Sequence, residues 1–181
     1  MSDYAEQFVA YLQGLAERDR AAMARLRRSL AFEPGADPAT YPYVERFVKA
    51  DWHASDARRL ALYVVAGLFA QHPRQGSSTF ARSFGELARR RDSDSLEARF
   101  VALLGADGEV LPVHLRHAID LLKAEDLPVD YSQMLRDLNW WLNPSVDQSI
   151  LGGLRQRWAR EFYRAITEDA NTDQAADAGN V

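Results

Sequence analysis

At 181 residues and 47% apolar content, the chain is long enough for one sizeable core or two small packed subdomains, and too apolar for general disorder. It has no cysteine, which excludes disulfides and thiolate metal sites and fits a reducing compartment. The net charge of −4 matches the four acids Glu168, Asp169, Asp173 and Asp177 of the base-free stretch 167–181, so the body before it is balanced.

From the N-terminus the pattern is helical nearly throughout. "MSDYAEQF" lacks the basic and apolar regions of a signal peptide. Asp3 and Glu6 read as a capping box, opening a helix with Tyr4, Phe8, Tyr11, Leu12 and Leu15 inward. Asp19 is placed to cap a second helix whose inner stripe is Met23, Leu26 and Leu30. The Pro- and Gly-rich segment 32–42 is a loop, and "YVERFV" starts a short helix. Residues 56–71 are apolar nearly all round and predict a buried central helix. Its apolar run, 60–70, falls short of the roughly 18 residues a membrane span needs, so a soluble cytoplasmic protein with no membrane partner is expected.

"HPRQGSST" (72–79) is the natural boundary between an N-terminal subdomain, 1–76, and a C-terminal one, 77–166. Three helical segments follow: "FARSFGELARRR", "SLEARFVALLGA" and "LPVHLRHAIDLLKAE". The next helix has Asp130 and Gln133 as a cap pair. The last is capped by Ser145 with Gln148 and loosened at Gly152–Gly153. No stretch alternates as a strand would, so the fold class is all-α: two packed helical subdomains with an acidic tail, 167–181, expected to be disordered.

Catalytic motifs are absent. His114 and His117 share a helix face in "HLRH" but have no third ligand at a supporting spacing, so no metal and no cofactor are expected. Neither phosphate-cradling glycine loops nor a nucleophile elbow occurs. The cations cluster instead, at 18–28, 57–59, 88–91 and 155–160, and nearly all are arginine. Such runs suit solvated helix faces as well as phosphate contacts. The tandem Trp140–Trp141 poses a sharper question. Trp141 continues the buried stripe of Tyr131, Met134, Leu135, Leu138 and Leu142. Trp140 projects to the far side, four residues after Arg136. That pair could pack against a subdomain or subunit, or offer a cation and a flat ring to a strand. Packing is the expected role.

In order along the chain stand "MARLRRSL", "YPYVERFV", "SFGELARRR", "EARFVALLGAD", "HLRHAIDLLK", "PVDYSQMLRDLNWW" and "RQRWAREFY". Over residues 4–164 this ordered set resembles the CasB family, the small subunit of the type I-E CRISPR surveillance complex known as Cascade. The resemblance implies an all-helical, non-enzymatic protein. Its partners would be the other Cascade subunits and CRISPR RNA, the displaced and target DNA strands, and a second copy of itself. Family DNA-binding positions fall on Arg28, Arg99 and Arg116, with Arg136 matching a further family arginine. Arg27 and Arg58, from the basic clusters, complete the expected nucleic-acid-binding set. Where a relative has a second arginine after "LR", this chain has His117. The competing expectation is a helical adaptor that bridges proteins without touching nucleic acid.

Overall fold

The computed structural model describes residues 3–177, with side chains to Glu168. Its helices are α1 (Tyr4–Arg18), α2 (Arg20–Ser29), α3 (Tyr41–Val44), α4 (Ala57–Gln71), α5 (Phe80–Arg91), α6 (Asp94–Gly105), α7 (Leu111–Ala124), α8 (Tyr131–Trp141) and α9 (Gln148–Asp177). Two 3₁₀ turns, Pro38–Thr40 and Glu45–Phe47, flank α3. Of the expected disordered tail, 167–181, the backbone of 167–177 is described as the end of α9, and 178–181 lie outside the described residues.

Local sequence places most helix starts. Asp3 and Glu6 form the capping box of α1. Asp19 accepts from the Ala22 amide at 2.8 Å, and Asp130 from the amides of Ser132 and Gln133, both at 3.0 Å. Two expected details differ. Gln133 does not reach back to its cap but donates to Asp137 at 2.9 Å. The start of α9 is capped by Asp147, which accepts from the Ser149 amide at 2.7 Å, while Ser145 is held in the preceding turn by Asn143.

α4 is the spine, buried from Ala61 to Gln71. It packs against α2 on the N-terminal side and against α8 and α7 of the C-terminal half. Leu26 and Leu30 of α2 close on Gly67, where a Cβ would come within 2.6 Å of Leu30 Cδ2. Arg59 is buried on the same helix. It donates to Glu45 at 2.9 Å and to the Ala54 carbonyl at 3.1 Å, and lies between the Tyr41 and Tyr63 rings. This anchors the loop that precedes α4.

The second layer is α5 against α9, with Phe84, Phe100, Phe162, Phe80 and Trp158 in ring contact between them and α6. Segment 72–79 crosses between the halves pinned to 127–131. The Gly76 amide bonds Val129 O at 3.1 Å, the Asp130 amide bonds Ser78 O at 2.7 Å, and Tyr131 Oη donates to His72 O at 2.7 Å. Gln75 and Val129 make a single parallel bridge, and no named strand occurs among the described residues. One contiguous apolar core runs from Phe8 through α4 to Phe162.

Candidate nucleic-acid interface

Arg27 and Arg28 sit in the last turn of α2, where cations favour the negative end of the helix dipole. Their neighbours Ala22 and Leu26 turn inward, so both arginines project to solvent. Among the described residues neither makes an ion pair or a side-chain hydrogen bond. Arg116 comes to the same place from α7. Its Nη1 donates to the Leu30 carbonyl at 3.2 Å, satisfying an orphan acceptor at the end of α2. The Arg116 carbonyl in turn accepts from Gln71 Nε2 at 3.0 Å, which fixes α7 on α4. His117 is exposed on the next position.

Arg99 lies on α6, which packs against α7. With about 100° per residue, Leu96, Phe100 and Leu103 face inward, and Glu97 lies on the flank where it accepts from Tyr163 Oη of α9 at 2.7 Å. Arg99 projects from the opposite flank, exposed and without a partner among the described residues. No described contact joins it directly to Arg28 or Arg116. Arg116 thus reaches the end of α2, on whose last turn Arg28 stands, and Arg99 lies on α6, which packs against α7.

Arg58 occupies a different region. It opens α4, donates to both carboxylate oxygens of Asp56 at 2.9 and 2.7 Å, and covers the Trp52 ring at 4.5 Å. The side-chain hydrogen bond from Arg58 holds the Asp56 carboxyl down to about 2, with the Arg58 amide adding to it. Arg58 also lines a cleft of about 610 Å³ between 53–58 and 139–145, with Trp140 on the wall.

Arg136 is engaged internally. It pairs with Asp3 at 2.6 Å and Glu6 at 3.4 Å, tying α8 to the start of α1. It makes no ring contact with Trp140 among the described residues. Trp140 itself is 51% exposed and lines the cleft opposite 53–58, whereas Trp141 is buried and donates to the Ala106 carbonyl at 3.1 Å.

Several of the clustered arginines are held in ion pairs, local or tertiary. Arg82 pairs with Glu168, Arg90 with Glu86 and Arg91 with Glu125. Arg157 pairs with the buried Asp137, which also accepts from Trp158 Nε1 at 2.7 Å. Three cations not singled out from sequence rest on aromatic faces: Arg18 and Lys49 on the nearby rings of Tyr11 and Trp52, and Arg46 on Tyr11 from a distant segment. Among the described residues no group of three histidine, aspartate or glutamate side chains could hold a metal ion. None of their helices is long and apolar enough to cross a membrane.

Comparison with known proteins points one way. The family model "CRISPR-associated protein Cse2" matches residues 22–163. A Thermus thermophilus protein described as CRISPR-associated protein Cse2 is 37% identical over 178 residues, covering 96% of this chain and 98% of that one. The crystal structure of M. ruber CasB is 31% identical and superposes with a TM-score of 0.77 over 95% of this chain and 99% of that one. A chain of a CRISPR RNA-guided surveillance complex shares the fold at 23% identity, with a TM-score of 0.76 over 95% of this chain and 97% of that one.

Proposed function

The chain belongs to the CRISPR-associated Cse2 (CasB) family, and on that footing we propose that it is the non-catalytic small subunit of a type I-E Cascade surveillance complex. In this reading it holds the DNA strand displaced when guide RNA pairs with its target. Its partners are the other Cascade subunits with their CRISPR RNA, the displaced and target strands, and a second copy of itself, in the cytoplasm. A protein of the same fold is a chain of a CRISPR RNA-guided surveillance complex, which supports the assembly.

The observation that carries the DNA reading is that Arg116 of α7 reaches the end of α2, on whose last turn Arg28 stands, both exposed and neither in an ion pair among the described residues. The expected subdomains, 1–76 and 77–166, each contribute one of the two. Strand exchange within an R-loop is close to balanced, so a few phosphate contacts suffice to tip it. Those contacts must ignore sequence, because every target differs, and exposed guanidiniums meeting phosphates do so. Two copies would add their weak contacts by effective concentration. A protein-bridging adaptor is the second reading, favoured by Arg136, whose guanidinium serves α1.

The test is R28Q/R99Q/R116Q in the assembled complex. Each lost phosphate contact flattens the slope of log affinity against log salt by roughly 0.7 to 0.9, while assembly is unaffected. Unchanged slopes would favour the adaptor.

A further inference from the structure

The cations of this chain divide by what they touch. On α5 and α9, Arg82, Arg90, Arg91 and Arg157 meet carboxylates. Around α1 to α3 they meet aromatic groups. The Arg18 and Arg46 guanidiniums lie 5.8 and 4.9 Å from the centre of the Tyr11 ring. Arg25 donates to Tyr43 Oη at 2.8 Å. Lys49 Nζ lies 5.9 Å from the Trp52 ring, which Arg58 also covers.

The rings form a continuous ridge. Tyr11 meets Phe47 at 5.1 Å, Phe47 meets Tyr4 at 6.3 Å, and Tyr4 meets Trp52 at 6.2 Å between centroids. A ring face attracts a cation through its quadrupole but leaves the charge uncancelled. Arg18, Arg25, Arg46 and Lys49 are all exposed, and none pairs with a carboxylate among the described residues. Positive charge therefore persists along a band of Arg18, Arg25, Arg46 and Lys49; at its end Arg58, whose own charge is paired with Asp56, stands on the wall of the cleft that also holds Trp140, Asn139 and Asn143.

We propose that this band is a track for the sugar–phosphate backbone of an unpaired nucleic-acid strand, with the Trp140 cleft seating one base at its end. The proposal rests on the nucleic-acid reading above but uses none of Arg28, Arg99 or Arg116. A strand is favoured over an acidic protein segment by the junction of two chemistries. Phosphates answer the row of cations, and a base answers the half-exposed indole, which an acidic segment would leave unused. Phosphate contact along the band and stacking at its end both tolerate any sequence.

The experiment titrates the full chain into a labelled oligothymidylate of roughly 30 nucleotides, and separately into labelled polyglutamate, reading anisotropy over a salt series. The triple variant R18Q/R46Q/K49Q is expected to flatten the salt slope for the oligonucleotide by about 2 (roughly 0.7 per contact). R18K/R46K keeps the charge and should keep the slope, which separates charge from packing on Tyr11. W140A should weaken binding by roughly tenfold with the slope unchanged. If the slope falls for R28Q/R99Q/R116Q but not for R18Q/R46Q/K49Q, the track is wrong and the Arg28 surface stands. If the wild-type chain binds polyglutamate and not the oligonucleotide, the band is a protein-docking face. If it binds neither, the track is also refuted.

Discussion

Asp56 shows how one side chain serves two structures. Its carboxylate caps α4, accepting from the Arg58 amide at 2.9 Å, and clamps the guanidinium of the same residue. Because the folded carboxyl is held at about 2, below its ordinary value, the carboxylate form is the one folding favours. Its contribution is complete above the unfolded pKa and disappears as pH falls from roughly 4 towards 2. Asp56→Asn keeps a good capping residue but removes this titration. Denaturant midpoints measured down that window should fall more steeply for the wild type than for the variant, and parallel curves would contradict the assignment. Arg136 shows the converse limit on reading residues singly. Its i, i+4 spacing to Trp140 was legible in sequence, but its real partners are Asp3 and Glu6, more than a hundred positions away. Nothing local announces that pairing.

Helices carry their own signals better than they carry their neighbours. The caps at Asp3, Asp19 and Asp130, and the all-round apolarity of α4, were readable because each depends on a few adjacent residues. The start of α9 was misjudged because Asn143 competes locally for the Ser145 amide. Glycines make the same distinction between local and tertiary demands. At Gly85 a Cβ would come within 2.4 Å of the Phe162 carbonyl oxygen, so α5 and α9 touch through the missing side chain. At Gly153 a Cβ would meet nothing. Gly85→Ala should therefore destabilise by about 1–3 kcal/mol through overpacking, outweighing its propensity gain. Gly153→Ala should stabilise by about 1 kcal/mol. Urea unfolding of both variants checks the opposite signs.

At the level of the whole molecule, α4 is shared. It completes the packing of α2 on one side and of α7 and α8 on the other, within one continuous core. The two halves should accordingly unfold together, giving coincident single transitions by far-ultraviolet circular dichroism and by calorimetry. Two resolved transitions would mean that 1–76 and 77–166 hold their structure separately. The same scale explains what the sequence hid about the surface. It displayed every arginine cluster, but which cations keep their charge depends on how the helices meet, as the pairing of Arg82 with Glu168 and of Arg91 with Glu125 makes plain. The arginines at the end of α2 escaped that neutralisation; those on α5 did not.

The four indoles divide unequally. Trp141 and Trp158 are buried and Trp52 is partly covered, leaving Trp140 as the indole most open to water. Excitation at the red edge, or quenching by acrylamide, will therefore report chiefly on that one ring. Events at the α8 end can be followed in unlabelled protein by its own emission.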